Sequence, residues 1–123
     1  MIARDRCEIV ARGLREHPGV LRVIIAGADG VPIVDDAVLE DRERAAASAA
    51  ALAGIVDLAA AALGVDDSQG SVIYGRERQV ITRSVGGDVL LVVLALAGEP
   101  GTGVYRSVRR AAAELEAAPV RAR

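Results

Sequence analysis

The sequence predicts an α+β fold, an α/β sandwich whose five-stranded antiparallel sheet carries one long helix on one face and two helices on the other. Three observations lead to it. The stretch from Asp41 to Gly64 is rich in alanine and repeats its bulky apolar residues at helical spacing. On either side of it lie β-branched segments joined by short turns, which read as antiparallel hairpins. Val89 to Ala97 contains no polar residue, as expected for a central strand covered on both faces.

From Ala3 to Glu16, the residues Cys7, Val10 and Leu14 recur at intervals of three and four among charged residues, which gives an amphipathic first helix. His17-Pro18-Gly19 ends it, because the residue before a proline is pushed away from helical geometry and glycine accepts the turn. His17 is assigned to that turn rather than to acid–base chemistry, since no second histidine accompanies it. Val20 to Ala26 then reads as a strand, Gly27-Ala28-Asp29-Gly30 as a turn and Val31 to Val34 as a second strand. Pro32 has no amide donor and places that second strand at an edge. Asp35-Asp36 is read as the exit from the strand rather than as a metal-binding pair, because no further ligands cluster beside it.

In the long helix, Leu52, Ile55, Val56, Ala59 and Leu63 mark the side expected to lie on the sheet. Half a turn away, Glu43, Ala47, Ala50, Gly54, Asp57 and Ala61 form a stripe of mostly small residues. A solvent face normally carries more charge than this one, and small side chains let a second backbone come close. The expected occupant is the same helix of a second copy, which puts Ala47, Ala50, Gly54, Asp57 and Ala61 in a dimer interface. The nearly uncharged run from Ala45 to Leu63 is read as a buried helix of a soluble protein. Alanine is only weakly apolar, and Ser48 and Asp57 interrupt the run, so a membrane span is the poorer reading.

After Gly64, Ser71 to Tyr74 and Gln79 to Val85 flank the charged turn Gly75-Arg76-Glu77-Arg78 and form a second hairpin. The central strand from Val89 follows Gly86-Gly87-Asp88. Gly98 to Gly103 leads into a last helix with Thr102 as its expected N-cap and Val104, Val108, Ala111, Ala112 and Leu115 as its apolar side. That glycine-rich entry lacks the lysine of a phosphate loop. Residues 1–118 are expected to form one domain, and Pro119 to Arg123 a disordered basic tail.

Composition narrows the chemistry. The chain has 123 residues, enough for one core, yet contains neither Phe nor Trp. Its core must therefore come from Val, Ile, Leu and Ala. A net charge of -2 and two tyrosines offer neither the field nor the stacking platforms that nucleic acid requires. All 15 basic residues are arginine and no asparagine occurs, which excludes phosphate loops, Schiff bases and Cys-His-Asn triads. Cys7 is the single cysteine and His17 the single histidine, so neither an internal disulfide nor a cysteine-based zinc site is expected. The charged start lacks the apolar segment of a signal peptide. These features give the expectation of a cytoplasmic protein without cofactor, metal, nucleic acid or membrane partner.

Taken together, Pro18-Gly19-Val20, Gly27-Ala28-Asp29-Gly30-Val31-Pro32, the alanine-rich middle helix and Val85-Gly86-Gly87-Asp88-Val89-Leu90-Leu91-Val92 resemble the roadblock / dynein light-chain family. The bacterial members of that family include regulators of Ras-like GTPases. The resemblance covers nearly the whole length. It implies a roadblock/profilin-like fold, and a homodimer in which the long helices pair antiparallel and edge strands meet. Ser71 to Tyr74 would be the joining edge, which adds Ser71 and Ile73 to the interface. It also implies an adaptor with no enzymatic chemistry.

The expected function is thus a homodimeric adaptor or regulator of a Ras-like small GTPase, acting by ordering the GTPase switch regions. Arg76 and Arg78 are the candidate partner contacts. They are weighed as arginine fingers in a GTPase-activating role against plain solvated turn charges. The alternatives are a structural scaffold joining signalling proteins such as a sensor kinase without effect on GTP hydrolysis, and a small-molecule sensor domain.

Overall fold

The structure, a computed structural model, describes residues 3–97 and 103–117. The expected N-cap Thr102 and the tail from Pro119 lie outside these residues. The elements are α1 (Arg4–Arg15), β1 (Val20–Gly27), β2 (Pro32–Val34), α2 (Leu39–Leu63), β3 (Gly70–Tyr74), β4 (Arg78–Val85), β5 (Val89–Leu96) and α3 (Val104–Ala117). The strands form one antiparallel sheet in the order β2-β1-β5-β4-β3. The apolar run from Val89 is accordingly the middle strand, with Val93 opposite Val23 on one side and Ile81 on the other.

Alternation along the strands sorts the sheet into two faces. On one, Val23, Ile25, Ile81, Leu91 and Val93 meet Cys7, Val10 and Leu14 of α1 and Val104, Val108 and Leu115 of α3 in the main core. On the other, Ile24, Ala26, Leu90 and Val92 meet Ala46 and Ala49 of α2. One long helix on one face and two on the other is the layering that the sequence predicts. Burial pushes the Cys7 thiol above its ordinary value, which leaves it an inert core group.

The side of α2 that lies on the sheet differs from the expectation. Ala46 and Ala49 are buried and Ala45, Ala50 and Ala53 pack beside them. Among the residues expected there, Ile55 and Leu63 are 63% and 81% exposed, as is Leu58 at 74%. Ala59 is also exposed, and Leu52 and Val56 are half-buried at the margin. The reason lies in the sheet. Its α2 face already presents branched and long side chains, so a helix can approach closely only through alanine, and its bulky residues turn outward. The helix is therefore largely exposed in the single chain, not the buried helix of the sequence reading. By length and composition alone α2 meets the requirement for a membrane span.

Local chemistry fixes both ends of α2. Val38 at its N-cap supplies no side-chain hydrogen bond. Asp35 holds the entry instead. Its fully buried carboxylate accepts from Arg22 Nε at 2.9 Å and Nη2 at 2.5 Å and from the Ala37 amide at 3.2 Å. This two-pronged hydrogen bond holds the Arg22 guanidinium above its ordinary value. Asp36 pairs with Arg15 of α1. The acidic pair is thus a strand exit tied to two arginines. At the far end Gly64, with φ of 80°, closes the helix while the Val65 amide returns to the Ala60 carbonyl at 2.8 Å.

The first hairpin turns on Gly30, whose φ of 87° suits glycine, and Asp29 Oδ1 accepts from the Val31 amide at 3.1 Å. A hydroxyl chain closes the opposite corner. Tyr105 in the first turn of α3 donates to Gln79 Oε1 at 2.6 Å and stands 2.6 Å from the Tyr74 hydroxyl at the end of β3. Gln79, itself buried, donates to the Leu96 carbonyl at 3.1 Å. The contact with Tyr74 is the main cause that pushes the Tyr105 phenol up to about 12, with desolvation adding to it.

Candidate protein-interaction surface

Several of the apolar residues that the fold leaves outside share one side of α2. Along the outer side of α2, Ser48, Ala51, Ile55, Leu58 and Ala62 alternate at spacings of three and four, and all are exposed. That is the spacing of an apolar seam along one side of a helix. Reading bulk alone as burial hid it, although the heptad spacing was there to find.

The two sheet edges differ in kind. β2 is three residues long, contains Pro32 and joins β1 through an irregular register, devices that blunt an edge. β3 runs Gly70-Ser71-Val72-Ile73-Tyr74 with neither charge nor proline and pairs only with β4. Its outward row of amides and carbonyls is open to another strand. α2 contacts β3, so the helix that carries the seam lies beside the open edge.

The residues expected in the interface fall as follows. Ala47, Gly54 and Ala61 are exposed on the flank of the seam, and a Cβ built on Gly54 would meet nothing within 4 Å. Ala50 turns partly toward the sheet, close to Gly30 of the first hairpin. Asp57 is exposed and accepts from Ser68 Oγ at 2.6 Å, tying the loop after α2 back to the helix. In β3, Ile73 is 48% exposed, while Ser71 shares a 2.6 Å hydroxyl contact with Thr82. Arg76 and Arg78 are both exposed at the hairpin between β3 and β4, away from α2's seam.

His17 serves the turn, its Nδ1 donating to the Pro18 carbonyl at 2.8 Å. Among the described residues no group of three or more His, Cys, Asp or Glu side chains is placed to hold a metal ion. A gap of about 650 Å³ lies between the C-terminal half of α2 and the β4–β5 turn, lined by Asp57, Asp66, Asp67 and Glu116 among others. These acids face open solvent.

The chain is thus a helix-on-sheet scaffold that leaves an apolar helical seam and an open strand edge exposed. The chain belongs to the Roadblock/LC7 domain family, which it matches over residues 7–95. A search of curated protein sequences gives no match. Solved structures carry the likeness further. Myxococcus xanthus MglB is 18% identical, with 92% of this chain and 86% of that one covered at a TM-score of 0.80. The gliding protein MglB of Thermus thermophilus is 19% identical, with 92% and 87% covered, again at 0.80. A Roadblock/LC7 domain from Streptomyces avermitilis is 17% identical, with 85% and 90% covered at 0.77. At such identities the likeness concerns the fold.

Proposed function

We propose that the protein is a cytoplasmic, non-enzymatic homodimeric adaptor that regulates a Ras-like small GTPase. The observation that carries this reading is the exposed seam of α2 beside the open edge β3 in a roadblock fold. Two copies related by a two-fold axis would bury both at once, Ile55 and Leu58 meeting their twins while Ser71 and Ile73 lie at the strand junction. Ala47, Gly54 and Ala61 would let the helices approach closely along the flank, with Asp57 at its margin and Ala50 braced from below. The family resemblance, and the fold likeness to MglB, support a GTPase as partner. One MglB structure is described as having a tetrameric arrangement, in keeping with assembly through this fold.

Ile55→Glu with Leu58→Glu is expected to reduce the mass in light scattering from two chains to one; an unchanged two-chain mass would remove the helical seam from the interface. Function is tested by binding to the Ras-like GTPase encoded nearest, loaded with a GTP analogue and then with GDP, alongside single-turnover hydrolysis. Preference for the GTP form with faster hydrolysis is the expected result. Binding that ignores the nucleotide would establish the scaffold reading. Arg76→Ala with Arg78→Ala is expected to leave hydrolysis mostly intact, since both side chains stand free at a turn; its loss would make one of them an arginine finger.

A further inference from the structure

On the face of the sheet opposite α2, helix α3 covers β4 and β5 but stops short of β3, leaving a groove of about 470 Å³ between α3 and the outermost strand. Val72, Ile81 and Val108 give it an apolar floor. Arg83 and Arg109 supply its charge, Tyr105 lines it as well, and no acidic residue lines it. Neither arginine has an ion-pair partner among the described residues. Arg83 Nε is in addition buried without a hydrogen-bond partner. The guanidinium groups that line the groove would form charge-assisted hydrogen bonds with a carboxylate placed there.

We propose that this groove docks an acidic, aliphatic peptide segment of a partner protein, its carboxylates on Arg83 and Arg109 and its branched side chains on Val72, Ile81 and Val108. The two arginines and the absence of any lining acid give the charge complementarity. The groove is open to solvent along the junction of a helix and an edge strand. Such a gap encloses too little of a small molecule, which its site usually buries by about 70–90%, but it suits an elongated chain. Val72 points into the groove from the sheet face rather than from the backbone edge of β3, so strand pairing at that edge leaves the groove accessible. The site is therefore independent of the GTPase reading.

The probe is a short fluorescein-labelled peptide of alternating glutamate and leucine, titrated into the full chain and followed by anisotropy and by amide shifts in NMR spectra. Shifts centred on Val72, Ile81, Arg83, Val108 and Arg109 are expected, and the same peptide with glutamine for glutamate should bind about tenfold more weakly or worse. Arg109→Gln, on an exposed helical surface that leaves the fold intact, should weaken binding about tenfold, and adding Arg83→Gln should weaken it further. Equal binding of the glutamine peptide, shifts confined elsewhere, or no binding at millimolar peptide would overturn the proposal. So would displacement by inorganic phosphate alone or equal binding of a short oligonucleotide, which would mark a general anion site.

Discussion

The two faces of the sheet are built on different terms. The α1/α3 face is closed over β1 and β5: two helices bring long aliphatic side chains onto long aliphatic side chains, and Val23, Ile25, Leu91, Val93 and Leu115 are shut from solvent. The α2 face is sealed by alanine, with the larger residues of that helix turned away from the molecule. The first face ends in a finished interior. The second ends in a surface on which Ile55, Leu58 and Leu63 stand exposed, the side that the proposed dimer would cover.

The sharpest way to break this comparison is to change the packing on each face in turn. Leu115→Ala should lower the folding free energy by about 2–5 kcal/mol in urea denaturation, because it empties a fully enclosed site. A value near zero would mean that the α1/α3 face is not the finished interior described. Ala46→Leu tests the opposite limit, since Ala46 is shut between α2 and the sheet. Adding bulk there should cost about 1–3 kcal/mol and displace the helix.

A smaller effect is expected at the corner where β3 meets α3. Tyr105 is pushed up to about 12 by its bond with Tyr74, by partial burial and by the charge that Tyr74 would carry. A phenol held above its unfolded value of about 10 stabilises the folded state below that pH, and the contribution disappears as the pH climbs through 12. Tyr74→Phe should return Tyr105 toward about 10 in a spectrophotometric titration. An unmoved titration would assign the shift to burial alone. Last in size is Leu58→Ala. At dilutions where the chain is monomeric it should change folding stability by less than about 0.5 kcal/mol, while weakening self-association at higher concentration.

Much of this architecture was legible in the residues. Proline and glycine placed the turns, the apolar run from Val89 announced the middle strand, and Pro32 put β2 at an edge. The face on which α2 rests was not legible, because bulk in a helix signals contact without saying with what. Ile55 and Leu58 satisfy the spacing of an interior face and of a partner-facing seam equally well. The side chains of Ile24, Leu90 and Val92 beneath decide between them, and these come from strands far away in sequence. The groove beside α3 was equally hidden, since Arg83 and Arg109 are brought together only by the way α3 crosses the sheet.

The hydroxyl chain from Tyr74 through Tyr105 to Gln79 has a practical consequence. The protein contains two tyrosines, no tryptophan and no phenylalanine, so all of its aromatic absorbance and intrinsic emission arises at that single corner. Its optical signal is a local gauge. Parting of β3 from α3 would alter the emission while the rest of the sheet stayed intact, and a change confined to α1 or the first hairpin would pass in the dark.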